Sequence, residues 1–197
     1  MININIGGTK GNKKYSEVIR RNWKIMDASP GAEYEYDLNS GKVISMDDAF
    51  VDNYYTSHTL EHVNTFRIPF VLSEIFRTLK PKGKIRIVVP NIRIGMQLYL
   101  NGAGIRNKKY CTPDPGLPKT DLGYFMGWGQ GRDRGKNQYY SGHRTIFDLE
   151  TLDLYLRQAG FRYIYDLAYN VCSSVFKGLD FSRYEGWSLF MEAEKSV

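Results

Sequence analysis

The feature that most constrains the fold is a run of alternating element types between positions 51 and 91. Residues 51–57 are rich in β-branched and aromatic side chains, which is typical of a strand. After a short polar group, apolar residues recur at intervals of four, three and four, and Pro69 stands where the first helical turn would lie. These apolar residues are Ile68, Leu72, Ile75 and Leu79. The spacing predicts a helix with one apolar face.

A tight turn and a second strand follow this helix. Residues 80–83, Lys-Pro-Lys-Gly, have turn chemistry, and residues 84–89 form a second apolar run closed by Pro90-Asn91. Strand, helix and strand in this order predict a parallel βαβ unit with a right-handed crossover. Because ligands bind beyond the carboxyl ends of such strands, we expect the chemistry near Ser57 and His58.

The motifs of this stretch carry a resemblance to a known family. The strings SHTLEHV and SEIFRTLKPKGKIRIVVPN resemble the central half of the class I S-adenosylmethionine-dependent methyltransferases. More narrowly they are similar to the small methyltransferase type 11-like group, in which the helix ends in Leu-Lys-Pro-Gly-Gly; here Lys82 replaces the first glycine. The resemblance implies an α/β, Rossmann-like seven-stranded sheet, mostly parallel with an antiparallel last strand and helices on both faces. It implies one domain over residues 1–197.

The start of the chain has the pattern of a nucleotide-binding βαβ unit. A first strand over residues 2–6 runs into Gly7-Gly8-Thr9, and a second apolar run over residues 23–26 ends at Asp27, 19 positions beyond Gly8. Glycines allow the backbone to approach a ligand, and a carboxylate at this spacing can accept both ribose hydroxyls. The glycine signal alone is also compatible with an ordinary tight turn.

The resemblance names S-adenosylmethionine as the cofactor and gives each residue a role. The glycine turn would cradle its amino-acid part, Asp27 would hold the ribose, and Asp37-Leu38 would flank the adenine. Family members have an extra helix before the first strand, whereas this chain begins inside that strand, so we expect a trimmed N-terminal helix and a more open pocket. The expected cofactor-binding residues are Gly7, Gly8, Thr9, Asp27, Asp37, Leu38 and Ser57.

The remaining elements are predicted from periodicity and caps. Residues 42–46 are expected to form the third strand and residues 91–100 a helix. Asp148 is a good N-cap for a helix that Gly160 ends. Residues 161–168 and 187–193 are expected to form the last two strands.

Residues 102–144 combine aromatic side chains with most of the positive charge. Eight basic and three acidic residues leave +5 there, against +6 for the whole chain. This excess predicts an anionic partner. The resemblance makes the segment an acceptor-side insertion closed by His143-Arg144, for a small anionic or sugar-like acceptor. The alternatives are a flap that only covers the sheet edge and a nucleic-acid substrate, which is less favoured.

The histidines are the candidate catalytic residues. Methyl transfer needs positioning and, for a hydroxyl or amine, a nearby base. His58 is the first candidate base and His143 the second, although His58 could instead only order its turn. His58-x-x-Glu61-His62 also matches an inverted zinc-protease motif. Because His58 follows a strand and no third ligand is evident, we expect no metal there, and Glu61 and His62 to brace the next helix.

Composition excludes other classes of protein. No apolar run reaches the roughly 20 residues that span a bilayer, and the start of the chain lacks the pattern of a signal peptide. Two cysteines are too few for a disulfide framework, which favours a reducing cytoplasmic location. A binding or scaffold protein that keeps the methyltransferase fold without catalysis remains the alternative function.

Overall fold

A single sheet of seven strands organises the described part of the chain. The computed structural model describes residues 1–7, 22–102, 118–130 and 142–196. The strands are β1 (Asn3–Ile6), β2 (Lys24–Asp27), β3 (Tyr34–Glu35), β4 (Val51–Ser57), β5 (Leu79–Pro90), β6 (Tyr163–Leu167) and β7 (Ser188–Glu194). Their order across the sheet is β3-β2-β1-β4-β5-β7-β6.

The sheet changes direction at β7. Strands β1 to β5 pair in parallel, whereas β7 runs antiparallel to both β5 and β6. The predicted fold class, a mostly parallel sheet with an antiparallel last strand, is therefore confirmed. The orientation also carries Ser188, the first residue of β7, to Pro90 at the carboxyl end of β5.

The predicted turn before β5 is present as an irregularity inside the strand. The β4–β5 register jumps from Val51↔Leu79 to Asn53↔Lys84, so residues 80–83 bulge out of the ladder. Lys82 has φ +63°, in the left-handed region that favours glycine.

Four α-helices accompany the sheet among the described residues. They are α1 (Ile68–Thr78), α2 (Ile92–Leu100), α3 (Asp121–Gln130) and α4 (Leu149–Ala159). The predicted caps are present: the Asp148 carboxylate accepts from the Thr151 N–H at 2.9 Å, and Gly160 ends α4 with φ +114°. Helix α3 lies within residues 102–144, for which no helix is predicted from the sequence. None of the described helices is both long enough and apolar enough to cross a membrane.

The sheet buries both of its faces. On one face, the apolar side of α1 and residues of α4 pack against Ile4, Tyr54 and Ile85. On the other face, aromatic side chains from residues 169–187 cover Tyr55 and Val88. The central strands β4 and β5 are therefore buried on both faces, as expected for a parallel sheet.

The predicted third strand, residues 42–46, is wrong. The third strand is Tyr34–Glu35, which pairs with Met26 and Asp27 of β2. Side chains of α1 satisfy the backbone of residues 44–46 instead of a strand partner. Glu74 accepts from the Ile44 N–H at 2.8 Å, and Arg77 donates to the carbonyls of Ile44 and Met46, both at 2.9 Å.

This arrangement predicts an acid sensitivity that Glu74→Gln removes. Hydrogen bonds from Arg77, opposed by burial, hold the pKa of Glu74 below its usual range. A depressed carboxyl pKa stabilises the fold above the ordinary value of about 4.3, and this contribution is lost as the pH falls. We expect the free energy of unfolding to fall less steeply between about pH 5 and 3 in Glu74→Gln than in the wild type. Urea denaturation measures this, with the exposed Glu150→Gln as control; equal slopes would contradict it.

Candidate functional site at the carboxyl edge of the sheet

Three predicted residues end up side by side because parallel strands finish at the same edge. Ile6 pairs with Met26 of β2 and with Thr56 of β4, so Gly7, Asp27 and Ser57 follow neighbouring positions. Topology alone therefore brings together the glycine turn and the two strand ends that the sequence singled out. Gly8 and Thr9 lie outside the described residues.

Gly7 is held in a conformation and a space that suit glycine. Its φ is +85°, and its N–H donates to the Met26 carbonyl at 2.9 Å. A Cβ at this position would lie 2.6 Å from Cγ2 of Thr59, and closer still to the Thr59 hydroxyl. That hydroxyl in turn donates to the Ile6 carbonyl at 3.3 Å.

Asp27 and the Asp37-Leu38 pair occupy the loops beyond β2 and β3. Oδ1 of Asp27 accepts from the Ser29 N–H at 2.7 Å, and a carboxylate keeps further acceptor capacity for a ligand. Asp37 accepts from the Asn39 N–H at 2.8 Å, while Leu38 is buried in the core. The Asn39 side chain links this loop to residues 62–64, because it donates a hydrogen bond to the His62 carbonyl and accepts one from the Asn64 N–H.

Ser57 closes β4 with a buried hydroxyl. Its side chain is nearly inaccessible, and within the described part of the chain Oγ has no hydrogen-bond partner. Unsatisfied buried polar atoms are uncommon and indicate a missing ligand or water. This atom lies on the edge where the sequence predicts the cofactor.

His58 is fixed on all sides. It has φ +52°, its N–H donates to the Val88 carbonyl at 2.8 Å, and its ring stacks on Tyr184 at 3.7 Å between centroids. Its Nε2 lies 3.0 Å from Oγ of Ser188, and its Nδ1 lies 3.1 Å from Oε1 of Glu61. Both ring nitrogens therefore face polar groups.

The chain's three histidines surround the Glu61 carboxylate. His143 Nε2 lies 3.9 Å from Oε1 of Glu61, and the His62 and His143 rings meet edge-on at 5.0 Å. Burial alone would raise the pKa of the Glu61 carboxyl, but His58, His62 and His143 lower it to about 2. The carboxylate is therefore ionised throughout the range in which the protein would work. His143 thus lies beside Glu61 and His62, a proximity that sequence spacing did not reveal.

Sequence reasoning missed the aromatic and hydroxyl neighbours of His58. Tyr184 and Trp187 pack on its ring, and Ser188 contacts its Nε2. The antiparallel direction predicted for the last strand is the signal that could have located them. That direction requires the beginning of the strand to lie at the carboxyl edge of its parallel neighbours.

Solved structures of several methyltransferases are similar to this chain in fold. A S-adenosylmethionine-dependent methyltransferase from Archaeoglobus fulgidus matches 98% of this chain and 85% of its own at TM-score 0.57 and 15% identity. One from Mesorhizobium loti matches 98% of this chain and 90% of its own at TM-score 0.54 and 12% identity. The fold is that of the class I methyltransferases.

A third methyltransferase structure is similar to this chain over about half of its own length. Phosphoethanolamine N-methyltransferase 2 of Haemonchus contortus, solved with S-adenosyl-L-methionine, matches all of this chain and 49% of its own at TM-score 0.54 and 14% identity. No protein-family model matches the sequence, and no curated protein matches it. At these identities the likeness concerns the fold.

Proposed function

We propose that this protein transfers a methyl group from S-adenosylmethionine to a small acceptor that is anionic or sugar-like. The observation that carries the proposal is the adjacency of Gly7, Asp27 and Ser57 at the carboxyl edge of a methyltransferase sheet. When bound, the cofactor supplies an electrophilic methyl group. The protein's part is to position that group and the acceptor in line.

The residues at this edge fit such a cofactor. Gly7 has no side chain where a backbone must approach the ligand, and its φ of +85° suits glycine. The Asp27 carboxylate would accept from the ribose hydroxyls. The Ser57 hydroxyl, which has no partner among the described residues, would contact the ligand beside it. Asp37-Leu38 would border the adenine. Gly8 and Thr9 complete the set on the grounds of sequence alone.

His58 is the proposed base for an acceptor hydroxyl or amine, with His143 second. The Glu61 carboxylate beside Nδ1 favours the tautomer that carries its proton on Nδ1. Nε2 then remains an acceptor, directed at the Ser188 hydroxyl 3.0 Å away. The acceptor would pass its proton to Nε2 through the Ser188 hydroxyl, or directly if the acceptor displaces that hydroxyl. Residues 102–144, with their excess of +5, form the proposed acceptor side.

Asp27→Ala tests the cofactor site. Loss of its charge-assisted hydrogen bonds should weaken binding of S-adenosylhomocysteine by about 1–3 kcal/mol. Isothermal calorimetry on the wild type and the variant measures the difference. Asp47→Ala, which removes an exposed carboxylate away from this edge, should bind as the wild type does. Equal affinity in Asp27→Ala would contradict the assigned role, and no binding to the wild type would favour a scaffold.

A further inference from the structure

The carboxylate of Glu61 is buried in a way that methyl transfer does not explain. Its residue is 1% exposed, and within the described residues neither carboxylate oxygen accepts a well-directed hydrogen bond. His58 Nδ1 comes within 3.1 Å of Oε1, a distance suitable for an ion pair. Burying a carboxylate is costly unless a partner such as a cation lies beside it.

Two imidazoles converge on this carboxylate from different parts of the chain. Ligand atoms of Glu61, His62 and His143 all lie within 4.8 Å of one another. His62 comes from the turn after β4, and His143 comes from a segment 81 positions later. His143 Nε2 lies 3.9 Å from Oε1 of Glu61.

We propose that Glu61, His62 and His143 bind a divalent transition-metal ion. Two nitrogens and one carboxylate oxygen suit zinc, manganese or ferrous iron, whereas calcium and magnesium prefer oxygen ligands alone. With bonds of about 2.1 Å, ligands of one ion lie roughly 3.0–4.2 Å apart. The separation of 3.9 Å falls in this range, and the widest pair needs only small side-chain rotations.

Backbone hydrogen bonds hold the two halves of the site together. The N–H groups of Arg144 and Thr145 donate to the Glu61 carbonyl at 2.7 and 3.1 Å. The Thr145 hydroxyl donates to the Val63 carbonyl at 2.6 Å. Arg144, which follows His143, is thus hydrogen-bonded to the backbone of Glu61. Thr145 is hydrogen-bonded to the backbone of Val63, which follows His62. A preformed scaffold of this kind is what a specific metal site requires.

The expectation of no metal rested on a missing third ligand and on His58 as the first. The proposed set leaves His58 out and uses His143 instead. His58 keeps its proposed role as base through Nε2, while its Nδ1, 3.1 Å from Oε1 of Glu61, would also help to orient the carboxylate toward the ion. The sequence motif and the ligand set therefore overlap only at Glu61 and His62.

An ion with three protein ligands keeps coordination positions open for another molecule. An acceptor hydroxyl bound there would have its pKa lowered, as metal-bound water does. This consequence rests on the proposed function, whereas metal binding does not. Cobalt uptake and cofactor calorimetry are separate measurements, so either can fail alone.

Cobalt titration of the tag-free, metal-stripped protein tests the site. Co²⁺ is the probe because its visible absorption reports nitrogen and oxygen ligands, and removal of any affinity tag leaves only the chain's three histidines. We expect one equivalent to bind. His62→Ala and His143→Ala should each raise the dissociation constant by at least about tenfold, and Glu61→Gln should do the same.

Controls keep the test decisive. Cys172→Ser should bind cobalt as the wild type does, which separates this site from binding by that thiol. Circular dichroism establishes that each variant is folded, and His143→Asn replaces His143→Ala if the latter unfolds. No uptake by the wild type at about 1 mM Co²⁺, or unchanged affinity in the folded His62→Ala and His143→Asn proteins, would overturn the proposal.

Discussion

Arg86→Met is expected to lower the free energy of unfolding by about 3–5 kcal/mol. The Arg86 side chain is fully buried, with Nε and Nη2 donating to the Asp180 carboxylate at 2.9 and 2.5 Å and Nη1 donating to Glu192 at 3.1 Å. Methionine would fill most of the space but leave two buried carboxylates without their cation. The uncompensated charge, rather than lost packing, is the source of the effect.

Urea denaturation with a rescue variant separates charge from volume. Arg86→Met/Asp180→Asn/Glu192→Gln removes all three charges while amide oxygens keep accepting from Asn170 and Ser173, so it should recover much of the loss. Arg157→Met removes an exposed ion pair with Asp153 and should change stability little. Arg86→Met as stable as the wild type would show that the buried network contributes nothing.

Gly7→Ala is expected to destabilise the fold by roughly 2–5 kcal/mol and to abolish cofactor binding. Two terms contribute: a side chain at φ +85°, and a Cβ that overlaps Thr59. Gly31→Ala is a matched control, because Gly31 has φ +87° and nothing within 4 Å of an added Cβ. It should cost only the backbone term of about 1–2 kcal/mol.

A double-mutant cycle isolates the overlap with Thr59. In a Thr59→Gly background, Gly7→Ala should cost no more than Gly31→Ala does in the wild type, because the overlapping atoms are gone. Thermal or urea unfolding measures the four corners of the cycle. Equal losses for Gly7→Ala and Gly31→Ala in the wild type would mean that the turn has room for a side chain.

Elements with local signals were predictable from the sequence. The spacing of Ile68, Leu72 and Ile75 defined α1, and Asp148 and Gly160 defined both ends of α4. The third strand was not predictable, since Tyr34–Glu35 has only two residues. In residues 42–46, where the strand was predicted, the backbone forms hydrogen bonds with the side chains of Glu74 and Arg77 instead. A side chain 30 positions away decided that outcome.

The burial of Arg86 and the position of His143 depend on tertiary contacts that residue spacing in the sequence cannot predict. Arg86 alternates with Ile85 and Ile87, a pattern typical of an exposed face, yet residues 169–187 cover that face and bury the charge. His143 was expected on the acceptor side, but no local pattern linked it to Glu61. That link depends on backbone hydrogen bonds from residues 144 and 145.

An amide NMR titration with S-adenosylhomocysteine determines whether the carboxyl edge of this sheet binds S-adenosylmethionine. We expect saturable shifts at Gly7, Ser29 and Ser57, which lie on or beside that edge. Lys84 and Glu194, paired at the opposite end of β5 and β7, should not move. Shifts confined to Lys84 and Glu194, or none at about millimolar ligand, would show that the cofactor does not bind at this edge.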